Sequence, residues 1–355
     1  YYFKYINKND RIMFRNKFEV GNKIIGGEKT FVIAEIGSNH NQNLELAYKL
    51  IDIAAESGAD AVKFQSIKPD KIYNLDDLKV EDKELLDKIK FKENWYQKIR
   101  DYCQEKNILY FSSPTYLEAV DILIDHDVQL MKIASPQTYG FPELIKKIGA
   151  SKLPTIMSTG YCRYKEIERA VDVFRKTGNE QLVLLHCISD YPTDPKDVNL
   201  NFLTTLRNMF GVVPGFSDHT LGYEVALGAV AKGAKVIEKH LTLDRDMKGP
   251  DHYFALEPDE FKKMMAGIRQ VEKAKGKNSK FKLKKSERNF RTEIEMKLVA
   301  KQEIGAGEKI TGDKLKYLRN KEGKGISAWQ EKEIIGLETK NKIKRNKFIT
   351  YKKIY

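Results

Sequence analysis

Two histidines follow apolar runs that are consecutive along the chain. His219 follows VVPGFSD, and His240 follows KVIEK. If these runs are neighbouring parallel strands, the two imidazoles lie at the same end of a sheet and within reach of one metal ion. Two imidazoles with water and a carboxylate such as Glu35 suit Mn²⁺, Fe²⁺, Co²⁺ or Zn²⁺ better than Ca²⁺. The alternative is that each histidine only packs and forms hydrogen bonds within the fold.

Charged side chains recur on one face of several apolar runs. Side chains alternate between the two faces of a strand, so Glu35 shares a face with Ile33, as do Lys63 with Gln65 and Glu238 with His240. Lys132 faces the same way in its own run. Buried charges need compensating charges or a ligand. The pattern predicts a charged cluster inside the fold, and a purely structural network of ion pairs is the alternative.

Hydroxyl groups collect at the ends of the same runs, at Ser113, Ser135, Ser158, Thr159, Ser189 and Ser217. Lysines supply point charges and hydroxyls supply directional hydrogen bonds, so together with Lys63 and Lys132 they could bind a phosphate and a carboxylate. A second reading is that one of these lysines forms a Schiff base with a carbonyl substrate, as in class I aldolases. The histidine pair argues against that reading.

Eight apolar runs must position these groups, and helical patterns such as 44–58 and 223–235 separate them. The runs cover 31–37, 61–65, 109–113, 130–135, 154–159, 182–187, 212–217 and 236–242. Alternating strands and helices predict an α/β protein, a (β/α)8 TIM barrel with its chemistry at the C-terminal ends of the strands. A small β-rich domain is expected to follow the barrel.

The domain organisation follows from changes in composition. We expect an N-terminal extension over 1–30 with a hairpin at 18–27, and the catalytic barrel over 31–276. A polar, basic linker should occupy 277–293, and short alternating segments predict the β-rich domain over 294–355. The long interval between the second and third strands, at 66–95, is a candidate lid or substrate-side loop.

Composition limits the partners and the location. Hydrophobic residues are 41% of the chain, enough for a large core, but no apolar run approaches the roughly 20 residues that span a bilayer. The net charge of +13 comes mostly from dispersed lysines, and the densest basic run, 273–285, holds no nucleic-acid motif. We expect no nucleic-acid or membrane partner. Three scattered cysteines and the absence of a secretory-signal pattern at the start predict a cytoplasmic protein.

Ordered motifs across residues 30–275 resemble the sialic acid synthases, a family that includes N-acetylneuraminate, legionaminate and pseudaminate synthases. The motifs are AEIGSNHNQN, DAVKFQ, SSP, KIAS, STG, HCISDYPTDPKDVNLN, GFSDHTLG and EKHLTLDRDMKGPDHYFALEP. The resemblance implies a transferase that condenses phosphoenolpyruvate with an amino-sugar aldehyde to give a nine-carbon 2-keto acid and phosphate. It also implies a C-terminal antifreeze-like (SAF) domain.

The resemblance assigns roles to individual residues. The phosphoenolpyruvate-binding positions correspond to Lys63, Ser113, Lys132, Ser135, Ser158, Ser217 and His219. Ser189 stands near the phosphate, where the family has an asparagine. His219 and His240 correspond to the metal ligands, for Mn²⁺ or Mg²⁺ with Co²⁺ as the alternative. Glu35 corresponds to an acidic residue proposed for catalysis, so the expected catalytic set is Glu35, His219 and His240.

On the sugar side, Gln65, Tyr191 and Asp251 correspond to family positions. Gln137 follows Pro136 where the neuraminate enzymes often have Gly-Glu, and glutamine keeps hydrogen bonding without the charge. Arg319 corresponds to an arginine that reaches the sugar site of the partner subunit in a domain-swapped homodimer, although here no proline follows it.

The identity of the amino sugar stays open between N-acetylmannosamine and a 2,4-diacetamido hexose. An octulosonate-type synthase, which would lack the tail domain, is an alternative function, and so is a Schiff-base aldolase or lyase. A non-enzymatic reading makes the tail an interaction module on an inactive barrel.

Overall fold

The structure, a computed structural model, describes residues 13–276 and 282–355. The chain divides into two compact units after Gly276. The start of the predicted N-terminal extension and the first part of the predicted linker lie outside the described residues. No helix in the described ranges is long and apolar enough to cross a membrane.

The first unit is built around a sheet of eight parallel strands, preceded by an antiparallel hairpin of β1 (Phe18–Val20) and β2 (Lys23–Ile25). The eight strands are β3 (Phe31–Gly37), β4 (Ala61–Ser66), β5 (Leu109–Pro114), β6 (Met131–Ile133), β7 (Thr155–Ser158), β8 (Leu182–Cys187), β9 (Val213–Asp218) and β10 (Val236–His240). Their order is β5-β4-β3-β10-β9-β8-β7-β6, so β3 pairs with β10 and the sheet forms a nearly closed barrel. The prediction of a (β/α)8 barrel is confirmed.

Helices surround this barrel. They are α1 (Leu44–Glu56), α2 (Val80–Ile89), α3 (Trp95–Glu105), α4 (Leu117–Asp125), α5 (Ser135–Gly140), α6 (Pro142–Ala150), α7 (Tyr164–Lys176), α8 (Phe202–Phe210), α9 (Glu224–Ala231) and α10 (Pro258–Lys275). Local signals set their ends. The Asn43 side chain accepts hydrogen bonds from the backbone N–H groups of Glu45 and Leu46 and so begins α1. Gly58, with φ +83°, follows the end of α1 in the left-handed region.

The interior of the barrel is apolar at one end and charged at the other. Along β3, Phe31 and Ile33 point into an inner apolar cluster, and the next inward position is Glu35. Phe18, Val20 and Ile25 of the hairpin belong to the same cluster, so the hairpin closes the N-terminal end of the barrel. Polar side chains are therefore left to the C-terminal end, where ligands bind in this fold.

One strand is shorter than expected. The prediction extended strand four over 130–135, but β6 ends at Ile133 and Ser135 is the first residue of α5. Pro136 is the cause, because proline has no backbone N–H and its fixed φ suits the first turn of a helix. Ser135 therefore begins a helix and does not end a strand.

The interval between β4 and α3 is an insertion over the C-terminal end of the barrel. It contains two short 3₁₀ turns, Pro69–Lys71 and Leu75–Asp77, followed by α2. Leu86 is the buried residue of α2, whereas Val80 and Leu85 are exposed. The insertion coincides with the 66–95 interval predicted as a lid or substrate-side loop, and five of its residues line the cavity described below.

A buried ion pair joins two neighbouring strands on the outer face of the barrel. Lys239 Nζ lies 3.0 Å from Asp218 Oδ2, and both side chains are almost completely buried. Lys239 and Asp218 are register partners in β10 and β9. The side chain of Asp218 also accepts hydrogen bonds from the backbone N–H and the hydroxyl of Thr220. The pair is thus held between the sheet and the surrounding helices.

Replacing Lys239 by Met should lower the free energy of unfolding by about 3–5 kcal/mol, because it leaves the Asp218 carboxylate buried without its cation. Chemical denaturation measures the loss. Adding Asp218→Asn should recover part of it, since the double variant holds no unpaired charge. Lys196→Met, in the exposed pair with Asp194, is the control and should leave the denaturation midpoint unchanged. A single variant as stable as the parent would contradict the expectation.

The second unit contains α11 (Lys285–Ile294), an antiparallel pair of β11 (Met296–Ala300) and β12 (Leu315–Arg319), and the short helix α12 (Glu331–Ile334). Its core is formed by Leu298, Ile310, Leu315, Ile326, Ile334, Ile349 and Ile354. Isolated bridges such as Ile304 with Ile343 extend the pairing. Arg319 is the last residue of β12 and is exposed.

Candidate active site

A cavity of about 300 Å³ opens at the C-terminal end of the barrel strands. Most residues predicted to do chemistry line it together: Glu35, Lys63, Gln65, Ser113, Lys132, Ser135, Gln137, Ser158, Tyr191, Ser217, His219 and His240. They come from all eight strands and the loops that follow, which is why no short sequence segment contains the site. Ser189 and Asp251 are not on the cavity wall, and Arg319 lies in the second unit.

Four buried charges form the floor of the cavity. Lys63 Nζ lies 2.8 Å from Glu35 Oε2 and 3.6 Å from Glu238 Oε1. Lys132 Nζ lies 3.8 Å from the same Glu238 oxygen. Two cations and two carboxylates thus compensate one another, as burial requires. The structural-network alternative is correct in that these charges are paired, yet the same side chains face an open cavity.

The two carboxyl groups of the cluster, those of Glu35 and Glu238, have different pKa values. Burial raises the pKa of Glu35, and the charge of Glu238 adds to that effect against the pull of Lys63. Burial also acts to raise the pKa of Glu238, but Lys132 and Lys63 overcome it and hold this pKa at about 2. Glu35 is therefore the carboxyl group that can take up a proton, and Glu238 is a fixed negative charge.

The two lysines differ as well. Burial acts to lower the pKa of Lys63, but Glu238 and Glu35 raise it on balance, so its ammonium group is stabilised. Burial lowers the pKa of Lys132, and the charge of Glu238 only partly opposes this. The charge of the Lys132 ammonium group is therefore only partly compensated, and an anionic ligand beside it would stabilise that charge.

Hydrogen-bond donors converge beside Lys132. Its Nζ donates to Ser158 Oγ at 2.7 Å, and the Gly160 backbone N–H donates to Ser135 Oγ at 3.1 Å. A Cβ atom at Gly160 would lie 2.7 Å from Ser135 Oγ and 2.1 Å from Ser189 Oγ, so glycine is needed there. Ser189 is behind this glycine rather than on the cavity wall. The Gly160 N–H holds the Ser135 hydroxyl in place. An ammonium group and hydroxyls suit a phosphate or carboxylate.

The two histidines approach each other at the rim of the charged floor. Their ring centroids are 5.6 Å apart. His219 Nδ1 donates to the Ile188 carbonyl at 2.7 Å, which directs Nε2 away from that backbone. His240 Nδ1 is buried and has no hydrogen-bond partner in the described part of the chain. Burial lowers the pKa of His240 to about 3, so its imidazole is neutral.

These imidazoles fit a divalent metal ion. An ion about 2.1 Å from an imidazole nitrogen lies about 3 Å from the ring centroid, so rings at this separation can share one ion. The bond from His219 Nδ1 to a carbonyl is the arrangement that orients metal-binding histidines. Residues 13–276 and 282–355 contain no group of three or more His, Cys, Asp or Glu side chains arranged for a metal. Water or substrate would have to complete the coordination.

The residues predicted to bind the sugar lie in different surroundings. Gln65 Nε2 donates to Glu35 Oε1 at 2.8 Å, so Gln65 is tied to the charged floor. Asp251 Oδ2 accepts hydrogen bonds from the backbone N–H and the hydroxyl of Ser38 and lies behind Gly37. Gly37 has φ +52°, and a Cβ there would lie 2.9 Å from Asp251 Oδ2. Asp251 therefore supports the loop after β3.

Several cavity residues were absent from the predicted site. The predicted site omits Glu238, although the sequence pattern places it on the same strand face as His240 and the structure places it in the cavity. Cys187 ends β8 on the inward face, and Thr115 follows β5. Ile67, Ile72, Tyr73, Leu86 and Ile89 line the cavity from the insertion. Alternation along the strands is enough to place Glu238 and Cys187 on the inner face. Nothing in the sequence of the insertion indicates which of its residues face the barrel.

Comparisons with known proteins agree with this geometry. Residues 50–280 match the NeuB family. The N,N'-diacetyllegionaminic acid synthase of Campylobacter jejuni is 40% identical over 88% of this chain and 97% of that protein. The protein of the same name from Legionella pneumophila is 36% identical over 86% of this chain and 89% of that protein. A solved N-acetylneuraminic acid synthetase from Leptospira borgpetersenii has a TM-score of 0.71 and 35% identity, covering 78% of this chain and 95% of that one.

Proposed function

The chain belongs to the NeuB family, and from this premise we propose that it is a nonulosonic acid synthase. It condenses phosphoenolpyruvate with an N-acetylated amino sugar, giving a nine-carbon 2-keto sugar acid and phosphate. The observation that carries the proposal is a cavity in which two lysines and several hydroxyls lie beside two carboxylates and two histidines. Such a cavity has groups for an anionic substrate and groups for proton transfer.

In this proposal, Lys132, Ser158 and Ser135 bind the phosphate of phosphoenolpyruvate, while Lys63 and Ser217 face its carboxylate. The charge balance supports this division. The four-charge cluster is neutral as a whole, so an incoming anion must draw Lys63 and Lys132 away from Glu238. Hydroxyl donors add the directional bonds that lysine lacks.

The proposed reaction forms one carbon–carbon bond. C3 of phosphoenolpyruvate attacks the aldehyde carbon of the open-chain sugar, and the aldehyde oxygen takes up a proton and becomes a hydroxyl. Water adds at C2 with loss of a proton. Phosphate then leaves with cleavage of its bond to C2, and the ketone remains. Glu35 accepts a proton from the attacking water, because it is the carboxyl group of the pair with the raised pKa. Gln65 holds Glu35 in place through its amide.

His219 and His240 would hold the divalent ion, for which Mn²⁺ or Mg²⁺ is proposed and Co²⁺ is the alternative. When bound, such an ion supplies Lewis-acid polarisation of the sugar aldehyde. The chain's own contribution is to keep His240 neutral by burial and to orient His219 through the Ile188 carbonyl.

Excess chelator should abolish phosphate release, and added Mn²⁺ should restore it, because two imidazoles alone hold an ion with its remaining positions open to exchange. Metal content before and after treatment, together with phosphate release, measures the effect. Full activity in metal-free enzyme would contradict the metal role of His219 and His240.

The function is tested by incubating the enzyme with phosphoenolpyruvate and a panel of free sugars, N-acetylmannosamine and 2,4-diacetamido hexoses. We expect phosphate release with at least one sugar. We also expect a product whose mass is that of the two substrates plus one water less one phosphoric acid. Lys132, whose pKa is lowered, is the amine that would favour a Schiff-base enzyme instead. Borohydride treatment with pyruvate should give no adduct. An adduct without phosphate release from any sugar would replace the proposal by the aldolase alternative.

We also propose that the second unit is an antifreeze-like (SAF) domain in a domain-swapped homodimer, with Arg319 reaching the sugar site of the partner. Exposure of Arg319 at the end of β12 supports its availability. Mixing Glu35→Gln with Arg319→Ala subunits should restore activity that neither variant has, since one hybrid site would be intact. No restoration at any mixing ratio would contradict the swap.

A further inference from the structure

A buried aromatic ring, that of Phe254, lies beside the two histidines but outside the apolar core. Phe254 follows β10 and is only 1% exposed, yet in the described part of the chain it belongs to none of the buried hydrophobic clusters. It does not line the cavity either. Its ring contacts are with Tyr191, His219, His240 and Tyr253. A buried phenylalanine usually fills a hydrophobic core, so this one calls for another explanation.

The Phe254 ring contacts both histidines. Its centroid lies 4.8 Å from that of His240, with 64° between the ring planes, and 6.3 Å from that of His219, with 82° between the planes. Tilted and edge-on arrangements of this kind are the favourable ones for aromatic rings. Tyr191 completes the group, 5.2 Å from Phe254 and 4.2 Å from His219. A single side chain therefore restrains both imidazoles.

Hydrogen bonds on both sides hold Phe254 in place. Two residues after it, the Leu256 backbone N–H donates to the His240 carbonyl at 2.9 Å, so the chain returns to the end of β10. One residue before it, the Tyr253 hydroxyl donates to the Tyr191 carbonyl at 2.5 Å, in the loop after β8. The position of the Phe254 ring relative to His240 is thus fixed by the backbone and does not depend on a bound ligand.

The two imidazoles are oriented by different means. The bond from His219 Nδ1 to the Ile188 carbonyl fixes the ring of His219. His240 has no such bond, because its Nδ1 is buried without a hydrogen-bond partner among the described residues. Histidines that bind metal are usually oriented by a hydrogen bond from the second ring nitrogen. For His240, packing against Phe254 is the contact that takes this role.

We propose that Phe254 is a positioning residue, which holds the His240 imidazole, and with it the histidine pair, in the orientation that binds a divalent ion. The inference rests on the proposed function, in which His219 and His240 hold that ion. Without the ring, His240 is free to rotate and water can enter beside it. Groups that support metal ligands contribute about 10- to 100-fold to metal affinity. Because Phe254 is not on the cavity wall, it should not affect the binding of phosphoenolpyruvate.

The test measures metal affinity without turnover. Metal-free enzyme is titrated with Mn²⁺, and the EPR signal of free Mn²⁺ gives the Kd. Phe254→Leu should raise this Kd at least about tenfold, while excess Mn²⁺ should restore kcat and the KM for phosphoenolpyruvate should stay at the parent value. Phe261→Leu is the matched control, because Phe261 is also fully buried but packs in the apolar core. It should lower stability and leave the Kd for Mn²⁺ unchanged.

The outcomes separate this inference from the function. An unchanged Kd in folded Phe254→Leu, or a loss of activity that excess Mn²⁺ does not restore, would overturn the positioning role, while phosphate release by the parent would still support the synthase. A parent that binds no Mn²⁺ would overturn the metal role of the histidines and this inference together. Absence of phosphate release with every sugar would instead overturn the proposed function. Phe254→Met serves as the second variant if circular dichroism shows that Phe254→Leu does not fold, and the same rise in Kd is expected.

Discussion

Replacing Glu35 by Gln should lower the rate of phosphate release by about a thousandfold, within the range expected for loss of a proton-transfer group. The amide keeps the size of the carboxyl group. Its one oxygen can still accept from Lys63, and its NH2 group can donate to the Gln65 amide oxygen if the Gln65 amide turns over. Lys63 also retains Glu238 at 3.6 Å. The barrel should therefore fold, and the variant should bind phosphoenolpyruvate at least as well as the parent, because the cluster becomes one unit more positive.

The contrast between rate and binding makes this prediction specific. Steady-state phosphate release gives kcat and the KM for phosphoenolpyruvate, and circular dichroism with chemical denaturation checks folding. Glu118→Gln is the matched control, because that carboxylate pairs with Lys71 at the exposed surface; it should have no effect. A Glu35→Gln enzyme with full turnover would remove Glu35 from the chemistry. A parallel loss of phosphoenolpyruvate binding and stability would make Glu35 a structural residue.

The barrel could be predicted because its strands are buried on both faces. Such strands appear in sequence as short, nearly continuous apolar runs, and FVIAEIG of β3 is buried along its whole length. The runs also lie at intervals that fit an intervening helix. The predicted end of strand four is wrong. The prediction extends the strand through Ala134 and Ser135, whereas α5 begins at Ser135 because Pro136 suits the first turn of a helix.

The sequence predicts which charged residues line the site, but it does not predict which of them form ion pairs with one another. Alternation along each strand placed Glu35, Lys63 and Lys132 on the inner face, and the structure brings them to one cavity. Which lysine contacts which carboxylate depends on the register between strands and on rotamers, and no single-sequence pattern encodes either. Lys132 contacts Glu238 across the barrel, a pairing that is distant in both sequence and strand order.

The insertion is the part of the site that the sequence predicts least. Its apolar residues have no regular spacing that distinguishes a face towards the cavity from a face towards solvent. Leu85 and Leu86 are adjacent and identical in type, yet one is exposed and the other lines the cavity. The rotation of α2 about its axis depends on how the preceding turns fold, so no pattern in the sequence indicates that Leu86 rather than Leu85 faces the cavity.

Replacing Lys132 by Met should raise the KM for phosphoenolpyruvate by about two orders of magnitude, because removing one partner of a buried charge contact costs about 2–5 kcal/mol of binding. Lys132 is nearly fully buried, donates to Ser158 Oγ, and lies where the phosphate is proposed to bind. Phosphate release over a range of phosphoenolpyruvate concentrations measures the change. Lys147→Met, in a surface pair with Asp121, is the control and should not alter KM.

This substitution also leaves Glu238 with less compensation, so a loss of binding could follow from a loss of structure. Lys132→Met alone should lower the free energy of unfolding by about 3 kcal/mol, since a buried carboxylate loses a cation. Combining it with Glu238→Gln removes the unmatched charge and should restore most of that stability. The KM should stay high in the double variant, because the phosphate still lacks its ammonium partner. If stability and KM both recover, Lys132 serves only to neutralise Glu238, and the four charges are a structural network with no part in binding phosphate.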